Sequence, residues 1–320
     1  MDRNLALEFV RVTEAAALSS ALWMGKGDKI KADGAAVEAM RKTLNDIAFH
    51  GVIIIGEGEK DEAPMLYSGE KVGRHVNDNE HDIELAVDPL ECTSNLANGK
   101  PNSISVLAAG PRGSLMKAPG TYMDQIVVGK DAKGSIDIKD SVKNNLSRIA
   151  KALKKDISEV TVCILDRPRL SDMIKQIRDS GARIRLIEHG TVSGAISAGI
   201  ENSGIDVLMG YGGAPETVIV AAAMKCIGGE VQAIIRPHNE KTEKETEEMG
   251  LKKDKVYHTD DLAKGDNLLF AATGISDGHF LKGVVFKPDG GITHSIVMRS
   301  KSKTIRFLET HHHFFEKPQY

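Results

Sequence analysis

The sequence predicts an α/β protein whose second half is built on a largely parallel sheet. Two observations carry this expectation. After about residue 150, short apolar runs alternate with loops and helical stretches: 160–165 before 171–180, 183–187 before 192–200, and 205–209 before 217–227. Strand–loop–helix units in series favour parallel pairing, because each helix carries the chain back across the sheet. Earlier in the chain, apolar runs at 51–55, 83–87, 103–109 and 125–128 follow two helical stretches without that alternation. The expected division is therefore an α+β half, 1–155, and an α/β half, 156–320, with the last strands free to rejoin the first half.

Taken in order, residues 4–24 place Leu5, Leu7, Val10, Ala15, Leu18 and Leu22 near helical spacing. A second helix is expected to start near Asp33, a residue type that caps N-termini, and to run through Met40 and Leu44. The run 51–55 ends in the acidic loop 56–62, and 83–87 ends at Asp88-Pro89. The Glu- and Lys-rich stretch 239–256 reads as a solvated helix. A strand at 268–273 and a late antiparallel pair at 284–286 and 295–298 complete the pattern.

Composition narrows the class. The 320 residues are 41% hydrophobic and 27% charged, a soluble globular balance. The net charge of -3 argues against a nucleic-acid partner, although local cations or metal ions can hold an anion in an acidic protein. No apolar run is long enough for a bilayer, and the start lacks the pattern of a secretory leader. Cys92, Cys163 and Cys226 are odd in number and widely spaced, which fits a reducing cytoplasm.

Four segments carry candidate chemistry. In Asp88-Pro89-Leu90-Glu91-Cys92-Thr93 a strand end delivers two carboxylates and then a hydroxyl. Hard cations such as Mg²⁺ and Mn²⁺ want such oxygens, and the hydroxyl could orient a metal-bound water. The same segment reads equally as a capped turn. Its spacing lacks the two aspartates, one residue apart, of an aspartyl-phosphate enzyme, which favours direct attack by a metal-activated water. In the loop after 51–55, Glu57 stands nearest the strand end, while Glu59, Asp61 and Glu62 read as solvated. Gly210-Tyr211-Gly212-Gly213-Ala214-Pro215-Glu216 opens a helix with free amides that suit a phosphate. Arg167-Pro168-Arg169 offers two guanidinium groups at a strand end, either a phosphate clamp or a solvated turn. Because loops after parallel strands share one sheet edge, Arg167, Arg169, His189, Thr191, Gly213 and Glu216 are expected along one crevice. A nicotinamide oxidoreductase is disfavoured, since no strand leads into the dinucleotide glycine fingerprint. Lys287, His238 and His311-His312-His313 receive no role.

Together with Arg11-Val12-Thr13-Glu14-Ala15-Ala16-Ala17, Gly56-Glu57-Gly58-Glu59, Asp61-Glu62-Ala63-Pro64-Met65-Leu66-Tyr67, Ala118-Pro119, Tyr122-Met123 and Ala271-Ala272-Thr273-Gly274, these segments resemble the class II fructose-1,6-bisphosphatases over roughly residues 3–312. That family belongs to the lithium-sensitive, metal-dependent sugar phosphatases. The resemblance implies a layered α-β-α-β-α fold and hydrolysis of the 1-phosphate of fructose 1,6-bisphosphate for gluconeogenesis, with Mn²⁺ or Mg²⁺ and a dimer or tetramer. By position it implies Asp33 and Glu57 as ligands of one metal, and Asp88, Glu91 and Glu216 as ligands of another. Thr93, with Glu57 and Asp33, would serve catalysis. Substrate would meet Glu91, Cys92, Thr93, Tyr122, Arg167, Pro168, Arg169, His189, Gly190, Thr191 and Gly213.

Five positions depart from the family's usual pattern. Cys92 and Thr217 replace glycines, Leu170 replaces a histidine, and His189-Gly190-Thr191 replaces Asp-Gly-Asp. A side chain at residue 92 would disfavour a positive φ there. All five proposed metal carboxylates remain, so the changes bear on substrate choice. They leave open another sugar bisphosphate, such as sedoheptulose 1,7-bisphosphate, or a weakened or inactive sugar-phosphate-binding relative.

Overall fold

A computed structural model of the chain describes residues 1, 4–57, 65–74 and 82–314. The elements begin α1 (Leu5–Ala21), α2 (Lys29–Asp46), β1 (Gly51–Ile55), β2 (Lys71–Val72), β3 (Ile83–Glu91), α3 (Thr93–Ala97), β4 (Ile104–Pro111) and β5 (Tyr122–Val128). They continue α4 (Val142–Leu153), β6 (Thr161–Leu165), α5 (Ser171–Asp179), β7 (Arg183–Ile187), α6 (Thr191–Ser197), β8 (Val207–Gly213), α7 (Ala214–Ile227) and β9 (Glu230–Arg236). The chain closes with α8 (Glu240–Glu248), β10 (Tyr257–His258), α9 (Thr259–Leu262), β11 (Leu269–Gly274), β12 (Val285–Lys287), β13 (Gly290–Arg299) and β14 (Thr304–His313). Among the described residues no helix is long and apolar enough to cross a membrane.

The chain packs as two compact units, Met1–Leu115 with Gly265–Tyr320, and Met116–Lys264. The last strands join the first unit, as the expected division allowed, and the second unit begins at Met116, earlier than residue 156.

In the first unit an eight-stranded sheet runs β12-β13-β11-β4-β3-β1-β2, with β14 on β13. Among the described residues of this sheet only β1 and β3 pair in parallel, and their register sets Ile55 against Ala86. Helices α1 and α2 pack on each other, α1 against β11, β13 and β4, and α2 against β3 and α3. Helix α2 begins earlier than expected. Asp28 is its N-cap, its carboxylate accepting from the Lys31 amide at 3.0 Å. Asp33 therefore lies inside the helix and is not its cap. The motif at residues 11–17 is a packing device: small, fully buried Ala16 and Ala17 let α1 approach the sheet. Thr13 Oγ1 meets Thr273 Oγ1 at 2.8 Å, and Thr273 meets Ser295 Oγ at 2.8 Å, so these buried hydroxyls partner one another.

Strand β3 does not stop at Asp88-Pro89. It continues to Glu91 with a register break, because Asp88 pairs with Val106 and Glu91 with Ile104. One extra residue on β3 makes this a bulge, a device that bends a strand and re-aims its side chains.

In the second unit a six-stranded sheet runs β10-β9-β5-β8-β6-β7. Strands β6, β7 and β8 are parallel, as the strand–loop–helix units predict. The sheet as a whole is mixed, which corrects the expectation of a largely parallel one. Strand β5 lies between β8 and β9 and is antiparallel to both, and β10 is antiparallel to β9. Strands β6 to β9 thus share one direction, but an earlier strand has inserted among them. The core under α4 and α5 gathers Leu146, Ile149, Ile164, Leu170, Ile174 and Met209. Leu170 is buried there, so it belongs to the core and not to the pocket.

Candidate functional site

In the first unit the site is built where β1 and β3 end. Two residues beyond the Ile55–Ala86 pair stand Glu57 and Asp88, so two carboxylates leave the sheet at the same end of adjacent parallel strands. The bulge then organises the rest. Asp88 Oδ1 accepts from the Leu90 amide at 3.2 Å, Glu91 is buried, and Thr93 opens α3. Thr93 Oγ1 donates to the Leu90 carbonyl at 3.0 Å. Asp33 projects from α2, which packs on β3 and α3, and burial pushes its pKa up. Glu59, Asp61 and Glu62 lie outside the described residues.

Cys92 is the irregular member. Its φ of 69° and ψ of 45° put it in the left-handed region that favours glycine. Its thiol donates to Glu91 Oε2 at 2.8 Å, and its carbonyl accepts from Ser103 Oγ at 3.2 Å. Burial, with the Glu91 and Asp88 carboxylates beside it, pushes the thiol well above its usual range. It therefore stays protonated and acts as a donor.

In the second unit both arginines of the candidate site, Arg167 and Arg169, follow the end of β6. Arg167 donates through Nη1 to the Asp166 carbonyl at 3.1 Å and through Nη2 to the Glu188 carbonyl at 2.5 Å, with His189 Nδ1 at 3.5 Å. Pro168 opens a 3₁₀ turn, Pro168–Leu170, that carries Arg169. Gly190, at φ 99°, turns the chain into α6 at Thr191. Thr191 Oγ1 and the Gln125 side chain crowd the face of Gly212, where a Cβ would collide with Gln125.

At the start of α7, a Cβ on Gly213 would overlap the Glu216 carboxylate, so only glycine lets that carboxylate fold back over the turn. Glu216 keeps some surface as a residue, yet among the described residues its Oε2 is enclosed without a hydrogen-bond partner. Burial pushes its pKa up. Thr217 Oγ1 donates to the Gly213 carbonyl at 2.7 Å, so the second departure from glycine ties down the same turn.

Two residues escaped the sequence reading. Tyr211 stacks on Tyr122 with ring centroids 4.6 Å apart and planes at 24°, and the Arg169 guanidinium lies 3.8 Å over the Tyr211 ring. The His238 ring lies tilted against Tyr122, with centroids 5.1 Å apart. The available signal was strand alternation: Tyr211 and Gly213 are two apart on β8, and Gly213 pairs with Tyr122.

A divalent cation can be tested against these donors. Among the described residues no group of three or more His, Cys, Asp or Glu side chains converges as a metal-holding cluster. The donor chemistry fits nevertheless. In the first unit Asp33, Glu57, Asp88 and Glu91 are all carboxylates, suited to a hard cation; in the second, Glu216 is a carboxylate with a buried oxygen that has no partner among the described residues.

Residues 3–312 match the family described as bacterial fructose-1,6-bisphosphatase, glpX-encoded. The chain is 45% identical to the fructose-1,6-bisphosphatase class 2 of Haemophilus influenzae, over 98% of this chain and 97% of that one. It is 44% identical to a Synechococcus protein named D-fructose 1,6-bisphosphatase class 2/sedoheptulose 1,7-bisphosphatase, over 98% and 96% of the two chains.

Proposed function

Since the chain belongs to the class II, glpX-encoded family of bacterial fructose-1,6-bisphosphatases, we propose that it hydrolyses the 1-phosphate of fructose 1,6-bisphosphate, giving fructose 6-phosphate and phosphate. The observation that carries this reading is the bulged end of β3, where Asp88, Glu91 and Thr93 stand on one turn beside the end of β1 and Glu57. Asp33, Glu57, Asp88 and Glu91 are the first unit's candidate metal ligands, and Glu216 is the second unit's. Mn²⁺ or Mg²⁺ held by these oxygens would activate a water and offset charge on the phosphoryl group.

The chain's own residues supply the rest. Thr93 Oγ1 spends its proton on the Leu90 carbonyl, which leaves its lone pairs to accept from the attacking water and orient it. Asp33 and Glu57 are the candidate acceptors for the proton that water gives up. Arg167 and Arg169 clamp a phosphate, Gly213 and the amides that open α7 approach it closely, and Tyr122, His189, Gly190 and Thr191 hold the sugar.

His189 and Thr191 support a second reading. They stand where carboxylates usually accept from sugar hydroxyls, and neither has two acceptor oxygens. Sedoheptulose 1,7-bisphosphate is accordingly a second substrate. The setting is the cytoplasm, and the assembly is a homo-oligomer.

Phosphate release from both sugar bisphosphates, with Mn²⁺, with Mg²⁺ and with chelator, tests the proposal. Metal-dependent release from fructose 1,6-bisphosphate is expected. A folded, metal-binding protein that binds the sugar but releases nothing would leave the inactive-relative reading instead.

A further inference from the structure

Arg169 differs from its cationic neighbours in how it is held. Arg236 is fixed by Asp124, Nε to Oδ2 at 2.6 Å, and Arg167 by two backbone carbonyls. Among the described residues, Arg169 has no carboxylate or carbonyl partner. Its contacts are the faces of two rings, Tyr211 at 3.8 Å and Tyr122 at 5.2 Å. Contact with rings consumes no hydrogen-bond donor, so the guanidinium N–H groups stay free for bidentate contact with a phosphate. An unsupported arginine side chain would lose much more rotamer freedom on binding the same anion.

The rings are mounted rigidly. Tyr211 stands on β8 between β5 and β6, and its cross-strand partner is Asp124, two residues from Tyr122. The two tyrosines are therefore diagonal neighbours on one face of the sheet, and the His238 ring also contacts Tyr122. On the backbone side, Arg169 is flanked by Pro168 and by Leu170, which is buried in the core.

We propose that Tyr211 is a positioning residue, whose ring holds the Arg169 guanidinium edge-outward for a phosphate group of the sugar bisphosphate. This rests on the reading of Arg169 as a phosphate contact given above. Tyr211 need not touch the substrate; it lowers the ordering cost of the residue that does.

The test uses Tyr211→Leu, Tyr211→Phe, Arg169→Gln and the double variant Tyr211→Leu/Arg169→Gln in the full chain. Two quantities are measured: kcat and KM for fructose 1,6-bisphosphate with Mn²⁺, and calorimetric Kd for the same sugar with chelator. Tyr211→Leu is expected to raise KM and Kd about twofold to fivefold, the range of a cation–π contact at an exposed arginine, with kcat within about 1.5-fold. Tyr211→Phe keeps the ring and stays within about 1.5-fold of wild type. In the Arg169→Gln background, Tyr211→Leu adds almost nothing, because the ring has lost what it positions. Unchanged KM and Kd in Tyr211→Leu, a Phe variant as impaired as Leu, or full additivity in the double variant each overturns the proposal.

If Tyr211→Leu fails to fold, Arg169→Lys keeps the charge but not the stacking plane, and a KM equal to wild type overturns it equally. Wild type that binds the sugar without releasing phosphate sinks the phosphatase reading alone, and the Kd ratios still decide the role of Tyr211. Wild type that neither binds nor hydrolyses the sugar removes both.

Discussion

In the first unit, Asp88, Glu91, Cys92 and Thr93 come from one short stretch at the end of β3. In the second, Tyr122, Arg167, Arg169, His189 and Tyr211 come from the ends of several strands and the turns after them. The first group is arranged by the backbone, through a bulge, a left-handed residue and the start of α3. The second is arranged by side chains, through ring stacking and carbonyl contacts. Damage should accordingly take different forms at the two places: lost chemistry with an intact fold in the first unit, weaker binding or a looser core in the second.

The sharpest break of that contrast is Asp88→Ala. It is expected to lower metal-dependent phosphate release by at least about a hundredfold, with circular dichroism and melting close to wild type. Full activity would remove Asp88 from the site.

Glu216→Gln should also lose metal-dependent turnover, but with a second signature in the metal-free protein. Burial raises the pKa of Glu216 in the folded state. Its contribution to stability is therefore fully present below the unfolded pKa and is lost as pH rises through the folded value. The Gln variant should melt higher than wild type near pH 7.5, and the difference should close below about pH 4. Equal melting at both pH values would show that the carboxylate costs the apo fold nothing.

Leu170→Ala tests the assignment of that position to the core. A loss of about 2–4 kcal/mol in denaturant unfolding is expected, with KM for the sugar bisphosphate nearly unchanged in the folded fraction. A large rise in KM without loss of stability would return Leu170 to the pocket.

The smallest effect is expected at Cys92, where two variants separate strain from hydrogen bonding. Cys92→Gly relieves roughly 1 kcal/mol of left-handed strain and removes the thiol donor to Glu91. Cys92→Ala removes the donor but keeps the strain. The glycine variant should therefore be the more stable of the two by about 1 kcal/mol; the reverse order would mean that the left-handed turn is not costly here.

What the sequence revealed follows the same contrast. The acidic turn was legible because its residues are contiguous; at residue 92 the side chain was expected to disfavour a positive φ, yet Cys92 keeps φ at 69°. The common direction of β6, β7 and β8 was legible from their intervening helices. The insertion of β5 between β8 and β9 was not, because nothing within residues 122–128 encodes which strands lie alongside. The true cap of α2 at Asp28 was missed because Asp33 offers the same side chain one turn later. Strand β14 was not read from the sequence, where His311, His312 and His313 received no role. In the fold His312 is buried, its Nε2 2.8 Å from Thr293 Oγ1. Tyr211 could not be read from a glycine-rich turn, since its role depends on rings and a guanidinium supplied from other strands.

The first unit's sheet joins β4 to β11, so its centre is closed by strands made after the whole second unit. On a ribosome, the continuous stretch Met116–Lys264 can fold while still tethered. The nascent β1–β4 segment must wait on the order of ten seconds with the edge of β4 unpaired. An open, apolar edge is a template for pairing with another chain. Chains that stop before β11 should therefore accumulate as aggregates carrying an intact second unit, and full-length yield should depend on how quickly that edge is met.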